Sequence, residues 1–156
     1  MNLGNIFTRI KHGLTTYRMG LLQARAYRVL KKYSSDELFA ADLSTLDWAL
    51  LGLLYDEPKG FRLSKVALLL GIEAPFVTEI VRELKRKGYI SQMLDPKDSR
   101  AKIVVLTEKG KDFVPVFDKT LRSRLKYLLS GVSPKDLYGY IKVLDTIVKN
   151  SEKDGK

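Results

Sequence analysis

The chain of 156 residues has room for one domain of ordinary size, and its 45% hydrophobic content can build a real core, which argues against a disordered tail. A formal net charge of +10 points to a polyanionic partner, such as nucleic acid or an anionic surface. With no cysteine, disulfides, thiolate zinc sites, iron–sulfur clusters and thiol switches are excluded, and with His12 as the single histidine so is a multi-histidine metal site; no cofactor is expected and an enzyme starts at a low prior.

No apolar run approaches the roughly 20 residues a bilayer span needs. Residues 1–11 are basic but lead into His12, Gly13 and Thr15 rather than an apolar core and cleavage site, so a soluble, cytoplasmic protein without a membrane partner is expected. Residues 3–10 can add a turn or two before a long amphipathic helix from about Leu14 to Tyr33, whose stripe is Leu22, Ala26, Val29, Leu30 and Tyr33. Ser44, with Asp47 three residues on, outlines a capping box ahead of a buried helix that ends near Asp56-Glu57-Pro58. Arg62-Leu63 reads as a short extended piece, and Ser64 as the cap of a helix carrying Val66 to Leu70 that Gly71 ends. Pro75 suits the first turn of the next helix, where a missing N–H costs nothing, and Val77, Ile80, Val81 and Leu84 form its buried face before Gly88. Helix, short Gly-containing turn, helix is a helix-turn-helix pattern.

After Gly88 the period changes to that of strands. Residues 89–94 and 102–106 flank a polar turn from Asp95 to Arg100, a hairpin with a charged tip. Thr107 can cap a helix with Phe113, Val114, Phe117, Leu121, Leu125 and Leu128 as its apolar positions, and Ser133-Pro134-Lys135-Asp136 is a strong start signal for the last helix. The predicted fold class is mainly α with a small β-hairpin wing, a winged helix-turn-helix between terminal helices. Its divisions are an N-terminal helical dimerisation arm (1–42), the winged region (43–107) and C-terminal helices completing the dimerisation region (108–156).

At this point the sequence resembles the MarR-type transcriptional regulators. The most specific stretch, residues 98–110, has Asp98-x-Arg100, an alternating apolar strand, and Leu106-Thr107-x-x-Gly110; Leu70-Gly71-Ile72 and Leu84 with Gly88-Tyr89-Ile90 also match in spacing. The resemblance implies a homodimer with interleaved first and last helices on double-stranded DNA, reading a pseudo-palindromic site with a helix in the major groove and the wing in the minor groove. It also implies a small lipophilic or phenolic effector between arms and winged domain, to which Tyr17, Arg18, Tyr27 and Trp48 could contribute, although aromatic residues at helical spacing are more often core.

The chemistry of the site can be argued without the family. Burying Val77, Ile80, Val81 and Leu84 turns Pro75, Thr78, Glu79, Arg82 and Arg86 outward, since spacings of three and four return to one face. Thr78 can donate to a base edge or phosphate, Arg82 can bracket guanine or a phosphate, and Lys85, Arg86 and Lys87 make a cationic end for backbone contact; a solvated charged face explains that run adequately by itself. Arg100 is the minor-groove probe with Asp98 as its orienter, against the blander reading of an ordinary exposed pair. Ser64, Lys65, Phe76 and Lys97 complete the candidate DNA-binding set. Phe76 and Glu79 depart from the family pattern, standing where a small polar and a basic residue are common.

Charge leaves two faces open. Residues 43–107 hold ten Lys and Arg against eight Asp and Glu, a net of +2, whereas 1–42 and 108–156 each carry +4. Either the arms touch flanking DNA or their charge solubilises a helical dimer. The expected function is a homodimeric, sequence-specific DNA-binding transcriptional regulator. The alternatives are a low-specificity architectural DNA-binding protein and a winged-helix protein-interaction module that does not bind DNA.

Overall fold

A computed structural model describes residues 16–96 and 98–154, which form six helices and a three-stranded sheet. The expectations for residues 3–10, His12, Leu14 and Lys97 fall outside the described residues. Two compact units are distinguished, one up to Arg124 and one from Leu125.

The first helix, α1 (Thr16–Ala40), runs seven residues past its expected end at Tyr33. Ser34 and Ser35 lie in the added turns, and hydroxyls of this kind can compete with a helix for its backbone groups. Here those hydroxyls turn back onto the helix, donating to the carbonyls of Leu30 at 3.1 Å and Lys31 at 2.6 Å, and the added turns bring Leu38 into the core. Helix α2 (Thr45–Asp56) begins with the predicted capping box: the Asp47 N–H donates to the Ser44 hydroxyl at 3.0 Å, and the Ser44 N–H to the Asp47 carboxylate at 2.7 Å. It buries Leu50, Leu51 and Leu54.

Strand β1 (Phe61–Arg62) passes directly into α3 (Leu63–Leu70), so Ser64 is not the cap. Pairing of Phe61 with Val104 and Arg62 with Ile103 fixes the chain as strand up to Arg62, and the helix starts at the next residue. Of the apolar run on α3 only Val66 is fully buried, while Leu68 and Leu69 are exposed, because consecutive positions on a helix cannot all face inward. Gly71, in the left-handed conformation at φ 64°, ends α3 as predicted. Helix α4 (Ala74–Arg86) then buries the four expected side chains, Val77, Ile80, Val81 and Leu84.

Strands β2 (Ile90–Asp95) and β3 (Asp98–Leu106) make the hairpin, and β1 joins β3 to give the antiparallel order β1-β3-β2. Its turn is tighter than the six residues expected, since Asp95 already faces Asp98. The Leu-Thr-x-x-Gly segment locks the hairpin to the following helix, α5 (Glu108–Leu128). Thr107 Oγ donates to the Gly88 carbonyl at 2.7 Å and accepts the Gly110 N–H at 3.2 Å. Gly110 is required there because a Cβ would lie 2.2 Å from the Tyr89 carbonyl oxygen. Phe113 and Phe117 of α5 stack at 5.1 Å, and Trp48 meets Phe117 edge-on at 5.1 Å, so Trp48 belongs to the core.

In the C-terminal unit, α6 (Pro134–Asp154) starts as predicted, with the Asp136 N–H donating to the Ser133 hydroxyl at 3.2 Å. Among the described residues no single helix is long and apolar enough to cross a membrane.

Candidate nucleic-acid interface

Because α4 is held by four buried aliphatic side chains, its opposite face is fixed: Pro75, Phe76, Thr78, Glu79, Arg82, Lys85 and Arg86 are all exposed. The structure assigns these cations unequal freedom. Arg82 lies 3.8 Å from Glu79 across one turn, and with 78% and 70% of the two side chains exposed the pair is weak and Arg82 is available. Arg86 is engaged by Glu83 through Nε at 3.0 Å and Nη2 at 2.5 Å. That hydrogen bond holds the Arg86 guanidinium above its ordinary value and the Glu83 carboxyl below its own. Lys87 is tied down: its ammonium donates to the Asp42 carbonyl and pairs with the carboxylates of Asp42 at 3.2 Å and Glu83 at 3.7 Å, which anchors the end of α4 to the end of α1. The expected cationic end of three thus reduces to exposed Lys85 and a neutralised Arg86.

Thr78 also differs from its expected role as a donor. Its Oγ1 donates to the Ala74 carbonyl at 3.1 Å, so the hydroxyl presents lone pairs outward and acts as an acceptor unless it rotates. Phe76 is 57% exposed, a large apolar side chain on the same outward face.

On the wing, Arg100 is exposed near the tip. The sequence assigned Asp98 to the Arg100 guanidinium, but its carboxylate accepts the Arg100 backbone N–H at 3.1 Å and lies 3.5 Å from Nη2 of Arg62. Arg62 also donates from Nε to Asp95 at 2.6 Å. That bond, then the charges of Asp95 and Asp98, raise the Arg62 guanidinium above its ordinary value. Asp98 prefers Arg62 because β1 lies beside β3 and delivers a guanidinium to the root of the tip. Arg62 and Asp95 were missed as site residues; 33 residues separate them, and no local pattern marks the pair.

Ser64 and Lys65 are exposed on the first turn of α3 and line a cleft of about 630 Å³ together with Arg62, Asp95 and the apolar side chains Met93, Ile103 and Val105. Tyr17 and Tyr27, weighed as effector contacts, stand 64% and 60% exposed on α1, and Arg18 donates to the Tyr17 hydroxyl at 3.3 Å. Among the described residues no group of His, Asp and Glu is arranged to hold a metal ion.

Residues 43–110 match the family described as the winged helix DNA-binding domain. The fold is similar to that of CouR from Rhodococcus jostii RHA1, solved bound to p-coumaroyl-CoA, with a TM-score of 0.77 and 21% identity over 83% of this chain and 91% of that one. A MarR-family transcriptional regulator from Rhodococcus sp. RHA1 gives 0.76 and 20% over 88% and 96%. MepR of S. aureus, solved as a DNA complex, gives 0.69 and 23% over 84% and 96%. At these identities the likeness is one of fold.

Proposed function

We propose, from the premise that residues 43–110 match the winged helix DNA-binding domain family in a chain that shares the fold of MarR-family structures, that this protein is a homodimeric, sequence-specific DNA-binding transcriptional regulator acting in the cytoplasm. The observation that carries the reading is helix α4, whose inner face is fully committed to the core while Thr78, Glu79 and Arg82 project together from the outer face. A helix so held can enter a major groove with its polar groups already oriented, Arg82 toward guanine and Glu79 toward a cytosine amine. Phe76 adds an apolar surface suited to a thymine methyl. Lys85, Ser64 and Lys65 flank this face and supply backbone contacts, and Arg100 belongs to the wing that meets the minor groove, with Lys97 the further cation proposed from the sequence.

Dimerisation is supported by apolar side chains that each terminal helix leaves uncovered: Leu22, Val29 and Tyr33 on α1, and Tyr138, Ile141 and Val148 on α6. Two-fold closure buries such stripes and spaces two recognition helices about one DNA turn apart on a pseudo-palindromic site. The effector part of the reading, a small lipophilic or phenolic molecule, is supported by the fold likeness to CouR, which was solved with p-coumaroyl-CoA.

The test is binding to random duplex and to sequences selected from a random pool, each across a salt series, with sedimentation of the intact chain at micromolar concentration. A dimer with a large preference for selected sites is expected. Equal affinity for both duplexes gives the architectural alternative. No salt-dependent binding to either gives the protein-interaction module, the second reading, which exposed Phe76 favours.

A further inference from the structure

Arg62 belongs neither to the recognition helix nor to the hairpin, yet it is in contact with the hairpin's tip. Its backbone is fixed by the β1 pairing to Ile103, and its side chain spans Asp95 at 2.6 Å and Asp98 at 3.5 Å. Asp98 in turn accepts the N–H of Arg100 at 3.1 Å. These contacts coincide with a break in the hairpin register. Leu94 faces Lys102 but the next residue, Asp95, faces Asp98, so residues 99–101 bulge between two pairs and lack the regular ladder that would fix their direction. Arg100 is the middle residue of that bulge.

Something other than ladder hydrogen bonds must therefore orient the segment. An isolated surface ion pair would be too weak. Here one planar guanidinium with 45% of its side chain exposed joins two carboxylates; the Asp95 side chain is only 12% exposed, so that end of the contact is sheltered and directional, and the Asp98 end is half-exposed.

We propose that Arg62 is the positioning residue of the wing: by bridging Asp95 and Asp98 it holds the bulged segment and sets the direction in which Arg100 leaves the hairpin. The functional half of this inference rests on the DNA-binding reading above, whereas the structural half does not. The same bridge offsets one of the two carboxylate charges that would otherwise repel phosphates. The rival role, a direct phosphate contact by Arg62, needs no tip ordering.

Arg62→Gln and Asp95→Ala separate these roles because they break the same contact while changing net charge in opposite directions. Amide hydrogen exchange of the free protein reads the tip: residues 98–101 should exchange faster in both variants, with the α4 and β3 core amides unchanged. Binding to a selected duplex reads the consequence. Both variants should weaken it by about three- to tenfold, and in an Arg100→Ala background the Asp95→Ala loss should disappear, since coupled residues are not additive. A charge effect alone gives weaker binding for Arg62→Gln, tighter binding for Asp95→Ala and unchanged exchange in both, and that pattern overturns the proposal. Should the parent chain bind no duplex, the DNA-binding reading fails, and the exchange measurement still decides whether Arg62 holds the tip.

Discussion

Helix α4 and the wing each present an arginine outward, but α4 takes its orientation from four buried aliphatic side chains, whereas the wing tip takes its own from a polar contact between groups 33 residues apart. The two regions also dispose of their carboxylates differently. On α4, Glu79 and Glu83 lie within a turn of Arg82 and Arg86 and would compete with an anionic ligand for them. At the wing, Asp95 and Asp98 are absorbed by Arg62, a cation from another strand, and Arg100 is left to project. A cation count treats both regions alike. The structure shows that the partner of each charge, and whether that partner is local, decides what remains for a ligand.

The comparison breaks most severely where α4 loses its apolar support. Leu84 is fully buried, and Leu84→Ala should destabilise the chain by about 2–5 kcal/mol through lost burial and the cavity left behind. Urea unfolding measures it. Arg62→Gln should leave the midpoint nearly unchanged, because a half-exposed guanidinium bridge orders the tip but buries little apolar surface. A large loss of stability in Arg62→Gln with a small one in Leu84→Ala would invert the assignment of apolar support to the helix and polar support to the wing.

The junction of the two regions comes next. Gly110→Ala places a methyl 2.2 Å from the Tyr89 carbonyl and 3.0 Å from Leu106 Cδ2, so β2, β3 or α5 must shift. Thermal unfolding should show a loss of roughly 1–3 kcal/mol, as for other overpacked sites. Unchanged stability would mean that the hairpin is free to move on α5 and that its anchoring by Thr107 is weak.

Arg82 sharpens the helix side. Arg82→Ala should cost roughly 1–3 kcal/mol on a selected site and little on random duplex, read by titration at one salt concentration. Equal losses would make Arg82 a phosphate contact. Glu79→Ala is informative through its sign: tighter binding to every duplex marks an electrostatic brake, and reduced discrimination marks a base reader.

What was legible in the sequence was local. The four buried positions of α4, the Ser44–Asp47 capping box, Gly71 as the end of α3 and Ser133 as the start of α6 each depend on residues a few positions apart, and each is present. Where side chains had a choice of partner, sequence reasoning chose the nearest. It gave Asp98 to the Arg100 side chain and Lys87 to DNA, whereas Asp98 meets Arg62 and Lys87 meets Asp42; it also ended the first helix at Tyr33, whereas Ser34 and Ser35 bond back within a longer α1. The first two contacts exist because β1 lies beside β3 and α4 ends beside α1, proximities that no periodicity encodes. The surface of the site was therefore readable, and the distribution of charge within it was not.

The smallest expected effect tests that distribution at the Glu83–Arg86 pair. The hydrogen bond from Arg86 lowers the Glu83 carboxyl, burial opposes it, and the charges of Arg86 and Lys87 add to the lowering. A carboxyl depressed in the folded state contributes stability above its unfolded value and loses that contribution as pH falls through the folded value. Acidification through the range below an ordinary glutamate should therefore protonate Glu83 late, cost slight stability and release Arg86, which an NMR titration of the Glu83 carboxyl carbon can follow. Glu83→Gln imitates the released state at neutral pH. If Arg86 faces phosphates, this variant should bind random and selected duplex more tightly by the same factor, and its salt slope should steepen by up to about one per protomer. Lys87 stays anchored through Asp42, so the end of α4 should not move. A gain confined to the selected duplex would instead mean that Arg86 reaches a base, and an unchanged slope that it points away from DNA; in either case the local carboxylate on α4 would not be the phosphate brake that distinguishes the helix from the wing.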